Sequence, residues 1–234
     1  MTAVNSAGNR DSKIKVAKDG PYLVFGNIPL FNMVIKCDEK GIPIEWGIGQ
    51  KLKTSQNYAL CRCGQTKTKP FCDGSHVKVN FDGTETSTQT HSNQAKEIDG
   101  PTLKLSDIEI LCASARFCHR GMDIWLAVPK SDDPATKKIA VEDSCDCPSG
   151  RLVVFEKADG KVVEPSLERA IGLIIDPAIG GHGPLWIRGG IPVYSADGVL
   201  YEVRNRMTLC RCGKSQNKPF CDSSHYPEED REVK

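Results

Sequence analysis

The sequence has no long apolar run and no excess of charge of either sign. Its longest apolar stretches are four to six residues, far short of the about 20 residues with which a helix spans a bilayer. Its 31 Lys and Arg residues nearly balance its 30 Asp and Glu residues, giving a net charge of +1, so no strong field would hold nucleic acid or an anionic membrane. The first 20 residues contain no apolar core and no cleavage-site pattern, which predicts no secretory signal. We therefore expect a cytoplasmic protein with no nucleic-acid partner and no membrane partner.

Motifs for substrate chemistry are also missing. The sequence has no phosphate-binding glycine loop, dinucleotide fingerprint or nucleophile elbow. It has no C-x-x-C-H haem motif either. We therefore expect that the chain is not an enzyme and has no catalytic residues.

Cysteine, in contrast, is abundant. The chain has eleven cysteines, which are Cys37, Cys61, Cys63, Cys72, Cys112, Cys118, Cys145, Cys147, Cys210, Cys212 and Cys221. An odd number in a chain without an export signal is a poor disulfide framework, so metal binding or redox chemistry is the better explanation.

A segment of 17 residues occurs twice without gaps. LCRCGQTKTKPFCDGSH at 60–76 and LCRCGKSQNKPFCDSSH at 209–225 are identical at twelve of seventeen positions. The similarity extends upstream, where GPYLVFGNIPLF at 20–31 aligns with GPLWIRGGIPVY at 183–194. Each repeat is a short unit with few large apolar side chains, and a core of that size usually needs a metal or a partner.

Short β-branched runs bounded by Gly, Pro and Asp predict a mainly β fold with little helix. The predicted strands are Tyr22–Phe25, Met33–Lys36, Leu103–Leu111, Met122–Val128, Leu152–Glu156, Ile171–Asp176, Leu185–Arg188 and Val199–Arg204. One ordinary helix is predicted at Pro134–Asp143, with Asp133 as its N-cap. The predicted organisation is an N-terminal tail (1–19), a first small metal-binding module (20–81), a polar linker (82–97), a central β-rich domain (98–180) and a second module (181–234).

The cysteines of each repeat are spaced in two pairs. Cys61 and Cys63 are two apart, so in an extended chain they leave the same face and can hold one metal atom. Cys72 and His76 are four apart, so on a helical turn they also share a face. The second repeat offers Cys210, Cys212, Cys221 and His225 in the same spacing. Two pairs suit a two-metal cluster with two protein ligands on each iron, while a Cys₃His zinc site and disulfides stay open as alternatives.

The first motif resembles the CDGSH iron–sulfur family, the NEET proteins, whose pattern is C-x-C-x2-[ST]-x3-P-x-C-D-G-[STA]-H. Every fixed position from Cys61 to His76 matches, and the second repeat departs once, because Ser223 stands where the family has glycine. The resemblance implies two [2Fe–2S] clusters, one in each repeat. It also implies that the C-x-C cysteines hold the inner iron and that the third cysteine and the histidine hold the outer iron.

Further expectations concern the neighbours of these ligands. Because serine tolerates a left-handed conformation poorly, Ser223 predicts an ordinary φ at that position. Asp73 and Asp222 are expected to accept backbone N–H groups of the turn that carries the histidine. The cations near the motifs, among them Arg62 and Arg211, are expected to be exposed.

A histidine ligand also predicts pH-dependent behaviour. If its free nitrogen reaches water, protonation would weaken its bond to iron. We therefore expect a pH-dependent potential and loss of the cluster in acid. A double His76→Cys and His225→Cys variant that kept the parent's pH profile would contradict this.

The middle region carries a further cysteine pattern. Cys112-x5-Cys118 followed by Cys147-Pro148-Ser149-Gly150 resembles the divergent mono-cluster ferredoxin domain that accompanies CDGSH units, and Cys145 could supply a fourth ligand. A cluster-free β domain with buried cysteines explains the same residues, so the sequence leaves a third cluster open. His91, His119 and His182 are expected to be surface residues, and Cys37 a lone thiol.

The function that follows is electron transfer, redox sensing or iron–sulfur cluster transfer, with a redox or cluster-acceptor protein as the partner. A zinc-stabilised interaction module without redox activity is the alternative, and an iron–sulfur subunit of a separate oxidoreductase is a third. Relatives with one motif often form homodimers, so a chain with two motifs is expected to be a monomer in which the two motifs pair.

Overall fold

The structure, a computed structural model, describes residues 12–226. It is mainly β, as predicted, with thirteen strands in three sheets within these residues. The strands are β1 Lys13–Val16, β2 Tyr22–Phe25, β3 Leu30–Cys37, β4 Pro43–Leu52, β5 Tyr58–Leu60, β6 Lys96–Asp99, β7 Leu103–Asp107, β8 Leu152–Glu156, β9 Val162–Val163, β10 Ala170–Asp176, β11 Gly181–Arg188, β12 Val193–Tyr194 and β13 Arg206–Leu209. The α-helices are α1 Ser75–Lys78, α2 Ile124–Ala127 and α3 Pro134–Asp146, and 3₁₀ turns lie at Ser92–Gln94, Glu109–Leu111, Phe117–His119, Val128–Lys130 and Pro177–Ile179.

The two repeats exchange a strand. One sheet has the order β12-β1-β2-β5 and the second the order β13-β11-β10-β3-β4. In the first, β12 of the second repeat pairs parallel with β1, with Ile14 opposite Val193. In the second, β3 of the first repeat pairs parallel with β10, with Leu30 opposite Ile171. Each sheet therefore contains strands from both repeats, and β10, which lies in the predicted central region, belongs to the second of them.

A shared apolar core joins these two sheets. Alternation along β1 buries Ile14 and Val16 and exposes the two lysines between and before them, which is the pattern of a strand with one face on a core. Leu60 and Leu209, the last strand residues before the two cysteine motifs, are fully buried in this core. Burying one such side chain contributes roughly 1.5–3 kcal/mol, so the core fixes the point at which each motif begins.

A third sheet, ordered β6-β7-β8-β9, packs against α2 and α3 in the middle of the chain. The predicted helix at 134–143 is confirmed and runs on to Asp146, and the Asp133 side chain accepts the Thr136 N–H as its cap. The strand predicted at Met122–Val128 is wrong. Helix α2 and a 3₁₀ turn occupy it, because a short apolar run fits either kind of buried element.

The strand predicted at Val199–Arg204 is also wrong. That segment has no strand, and only Leu200 makes an isolated bridge to Tyr194. Residues 82–97 lie against it instead. The Glu85 carboxylate accepts the Tyr201 hydroxyl at 2.7 Å, and the Glu202 carboxylate accepts the His91 N–H at 2.9 Å. The segment after the first motif therefore binds the second repeat through side chains and single backbone hydrogen bonds, such as that from the Glu202 N–H to the Gln89 carbonyl at 2.9 Å, rather than through a sheet ladder.

No helix within residues 12–226 is long and apolar enough to cross a membrane.

Candidate metal centres

The first motif is held by a short antiparallel contact between its two halves. The chain leaves β5 at Leu60, and Leu60 forms a bridge with Phe71. The Cys61 N–H donates to the Pro70 carbonyl at 2.9 Å, and the Cys72 N–H donates to the Ala59 carbonyl at 3.0 Å. These bonds place the C-x-C segment beside the loop that carries Cys72, and α1 then carries His76.

The four ligands predicted in this motif come together as two pairs. The Sγ atoms of Cys61 and Cys63 are 3.7 Å apart. The Cys72 Sγ lies 3.4 Å from the His76 Nδ1. The ligand side chains therefore meet in the pairing that their spacing predicts.

The second motif repeats this geometry after β13. The Cys210 N–H donates to the Pro219 carbonyl at 2.8 Å. The Sγ atoms of Cys210 and Cys212 are 3.6 Å apart, and the Cys221 Sγ lies 3.5 Å from the His225 Nδ1. Both motifs thus present the same donor set in the same arrangement.

Each pair fits two ligands on one tetrahedral metal atom. Metal–sulfur bonds of about 2.3 Å and metal–nitrogen bonds of about 2.0–2.1 Å put two sulfurs about 3.8 Å apart, and a sulfur and a nitrogen about 3.6 Å apart. The observed separations of 3.4–3.7 Å are close to these values. Within residues 12–226, no group of three or more His, Cys, Asp or Glu side chains is placed to hold one ion. Each pair therefore has the separation of two ligands on one metal atom.

Three further cysteines line one cavity of about 630 Å³. Cys112, Cys118 and Cys147 all lie on its wall, as do Arg116 and Arg151, whose guanidinium groups pair with Asp176 and Asp107. Burial raises the pKa of the Cys118 thiol. Three thiol groups around one space are suitable donors for an iron–sulfur cluster.

Cys145 does not join this group. It belongs to the last turn of α3, whereas Cys147 follows the end of that helix. Burial raises the pKa of its thiol, and the charged groups nearest to it include Arg206 and Glu164. All eleven cysteines lie within the described residues, and all are free thiols.

Two family models match the regions that contain these cysteines. A family model described as "Iron-binding zinc finger CDGSH type" matches residues 19–77 and 182–226. The chain carries two CDGSH domains in tandem. A second family model, described as "Divergent 4Fe-4S mono-cluster", matches residues 98–157, so the tandem CDGSH protein is an iron–sulfur binding protein. No curated protein and no solved structure gives a significant match to the chain.

In the tandem CDGSH protein, an aspartate fixes the turn that carries each histidine. The Asp73 carboxylate accepts the N–H groups of Lys67 at 2.9 Å and Ser75 at 3.0 Å. These hydrogen bonds, first that from Lys67, hold the pKa of Asp73 well below its usual range. The expected acceptor role is confirmed, although Gly74 rather than Asp73 is the cap residue of α1. Asp222 makes the equivalent bonds to Gln216 and Ser224.

The expectation of an ordinary φ at Ser223 is wrong. Gly74 has a φ of 82° and Ser223 a φ of 72°, so both loops pass through the left-handed region. Ser223 is held there by its side chain. Its hydroxyl donates to the Cys112 carbonyl at 2.8 Å and accepts the Ser114 hydroxyl at 2.6 Å. The one residue that departs from the family pattern therefore contacts the 112–114 segment, which carries one of the three cavity cysteines.

The two arginines between the C-x-C cysteines are not exposed, contrary to expectation. Arg62 is only 1% exposed. Its guanidinium donates to the carbonyls of Gly20 at 2.8 Å, Gly83 at 2.9 Å and Ala17 at 3.1 Å. Arg211 donates to the carbonyls of Gly183 and Ile174, and burial lowers its pKa to about 10. Each arginine thus connects its motif by hydrogen bonds to the start of its own repeat. Each also places a buried positive charge next to the C-x-C cysteines.

The two C-x-C loops touch each other through their backbones. A Cβ atom added at Gly64 would lie 2.6 Å from the Cys212 carbonyl oxygen, and one added at Gly213 would lie 2.7 Å from the Cys63 carbonyl oxygen. Only glycine permits this approach in both loops. The contact brings the inner ligand pairs of the two motifs to adjacent positions.

The surroundings of the two motifs are nevertheless not identical. The Tyr22 hydroxyl donates to the carbonyl of Cys210 at 2.6 Å and also lies 3.0 Å from that of Pro219. The repeat alignment places Leu185 at the equivalent position, so the first motif has no such tyrosine. Burial raises the pKa of Tyr22, which keeps this donor protonated.

The remaining histidines and the lone cysteine fall in different places. His91 is 2% exposed, contrary to expectation, and its Nε2 lies 2.9 Å from the Ser87 hydroxyl. His119 lies at the cavity wall and pairs with Asp123. His182 is exposed and Cys37 is half-buried, as expected.

Sequence reasoning noticed Ser223 but predicted the wrong conformation for it, and it missed Gly64 and Gly213 as determinants of the site. The signal for the glycines was present, because both repeats read C-R-C-G.

Proposed function

We propose that the tandem CDGSH protein holds one [2Fe–2S] cluster in each motif. Cys61, Cys63, Cys72 and His76 would hold the first, and Cys210, Cys212, Cys221 and His225 the second. The observation that carries this proposal is the pairing of the ligands, with 3.7 and 3.4 Å in one motif and 3.6 and 3.5 Å in the other. A two-iron cluster uses two protein ligands on each iron.

The ligand set supports a role in electron transfer, redox sensing or cluster transfer. When bound, an oxidised [2Fe–2S] cluster with three thiolates and one neutral imidazole carries a charge of about −1. Its reduction potential is therefore expected to lie above the about −400 mV of plant-type ferredoxins, whose clusters have four thiolates. The buried guanidinium groups of Arg62 and Arg211 favour the same reduction, since a cation in a low-dielectric region stabilises added negative charge. The Tyr22 hydroxyl polarises the Cys210 carbonyl and adds a smaller effect of that kind at the second motif only.

The three-cysteine cavity supports a third iron–sulfur cluster. Cys112, Cys118 and Cys147 would hold it, because they share one wall and the matching family is described as a mono-cluster. Cys145 would not, because it lies outside that wall.

The tandem protein would act with a redox or cluster-acceptor protein and not as an enzyme, in the cytoplasm, where a chain rich in free thiols is stable. The exchange of β3 and β12 between the sheets favours a monomer that pairs its two motifs within one chain. Light scattering during size-exclusion chromatography would test this, since a mass of about twice 25.6 kDa would contradict it.

Anaerobic purification with iron, sulfide and zinc analysis tests the function. We expect a coloured protein with equal amounts of iron and acid-labile sulfide. A colourless protein with stoichiometric zinc would favour the zinc-stabilised interaction module instead.

A further inference from the structure

The two CDGSH motifs have the same ligands but differ in what covers their outer pair, the cysteine and histidine four residues apart. In the first motif this side is open. A Cβ atom added at Gly74 would meet nothing within 4 Å. The side chain of Val77, next to His76, is 69% exposed, and Cys72 is half-buried.

In the second motif the corresponding side is covered by the 112–114 segment. Cys221 is 2% exposed and Ser223 is 1% exposed. The Ser223 hydroxyl bonds to the Cys112 carbonyl and to the Ser114 hydroxyl. The hydroxyl of Tyr226 lies 2.9 Å from the Ser114 carbonyl oxygen, so the turn is attached on both sides of its histidine.

The backbone at Ser223 indicates that this attachment is strong. A residue other than glycine in the left-handed region costs free energy, and it persists only where its surroundings hold it there. The first repeat has glycine at this position, with a φ of 82° and no neighbour. Serine at 223 therefore accepts a strain that glycine would avoid, and its two hydrogen bonds to the 112–114 segment offset that strain.

We propose that Ser223 locks the second motif to the 112–114 segment, and that the first motif is consequently the one that exchanges its cluster with a partner. The proposal of cluster exchange rests on the proposed function, whereas the proposal that Ser223 holds the second motif in place does not. Exchange needs local opening of the ligand loop, and opening is rarest where the loop is tied by buried hydrogen bonds. On release, the four metal–ligand bonds of the motif break. The acceptor's ligand thiols lose protons as they bind the cluster, the three freed thiolates take up protons, and the imidazole leaves in its neutral form, so no oxidant or reductant is needed.

Alkylation of cysteine in the full-length, cluster-loaded protein tests this site by site. Excess EDTA is added anaerobically with iodoacetamide, and peptide mass spectrometry follows the labelling of each ligand cysteine. The peptides around Cys72 and Cys221 differ in sequence, so each motif reports separately. We expect Cys72 to be labelled about tenfold faster than Cys221, since the hydrogen bonds of Ser223 and Tyr226 to the 112–114 segment together outweigh the backbone strain at Ser223.

A Ser223→Ala variant isolates the lock. Alanine keeps the strain of the left-handed φ of 72° and removes only the two hydrogen bonds of the hydroxyl. We expect labelling of Cys221 and Cys112 to accelerate about tenfold together, with Cys72 unchanged. The matched control is Gly74→Ser, which puts serine into the same conformation without a partner, and it should leave Cys221 and Cys112 unchanged.

Equal labelling of Cys72 and Cys221 in the parent protein would overturn the inference, as would a Ser223→Ala variant with the parent's rate at Cys221. The same labelling of metal-free protein separates the two proposals. If the purified protein held no iron or sulfide, the proposed function would fail, while the Ser223 lock would still be judged by the rates at Cys221 and Cys112.

Discussion

Replacing Gly213 by alanine tests the backbone contact between the two C-x-C loops. The new Cβ atom would lie 2.7 Å from the Cys63 carbonyl oxygen, a distance that real Cβ atoms essentially never show. Because the obstacle is backbone, it cannot rotate away as a side chain would. The two motifs would have to separate.

The cost has two parts. Alanine in the left-handed region, here at a φ of 81°, costs about 1–2 kcal/mol. Forcing an extra carbon into a packed contact costs about 1–3 kcal/mol more. We therefore expect Gly213→Ala to lower the free energy of unfolding by about 2–5 kcal/mol, as measured by urea unfolding followed by circular dichroism under anaerobic conditions.

Gly198→Ala is the matched control. Gly198 has a φ of 85°, and a Cβ atom added there would meet nothing within 4 Å. This variant should lose only the about 1–2 kcal/mol of the backbone conformation. If the two variants were equally stable, the close approach of the loops would be refuted.

Three further predictions concern other parts of the chain. A Cys118→Ser variant should lose about four iron atoms per chain if its cavity holds a four-iron cluster, whereas Cys145→Ser should keep the parent's iron content. Equal losses of iron from the two variants in a colorimetric assay would disprove the assignment of Cys118, and not Cys145, as a ligand. Arg62→Met should lower the free energy of unfolding by at least about 3 kcal/mol, because three buried carbonyls lose their donor, while the exposed Lys67→Met should change it by no more than about 0.5 kcal/mol. Burial lowers the pKa of His91, so its neutral form stabilises the fold above the unfolded pKa of about 6.5, and that stability is lost as the pH falls below it. His91→Gln should therefore flatten the acid side of the stability–pH curve, and a curve that kept the parent's shape would show that His91 contributes nothing to it.

The pairing of the candidate ligand side chains could be predicted from the sequence because it depends on local spacing. Cys61 and Cys63 leave one face of an extended segment, and Cys72 and His76 share one turn, so each pair forms without help from distant residues. Helix α3 was predictable for the same reason, since Asp133 and Pro134 act on adjacent backbone groups.

Features that depend on distant contacts were not predictable. The exchange of β3 and β12 brings together strands far apart in the sequence, and alternation shows which face is buried but not which strand lies beside it. Arginine is usually a surface residue, so nothing local indicated that Arg62 would be buried among carbonyls. Serine at 223 adopts a conformation that its own preference opposes, because residues more than a hundred positions away bind its hydroxyl.

Mössbauer spectroscopy of ⁵⁷Fe-labelled protein is the most direct test of the two-iron arrangement. A Cys118→Ser background removes the contribution expected from the three-cysteine cavity. We predict two ferric environments of equal area, one with two cysteine ligands and one with a cysteine and a histidine. A single iron environment, or motifs filled by zinc, would contradict the account.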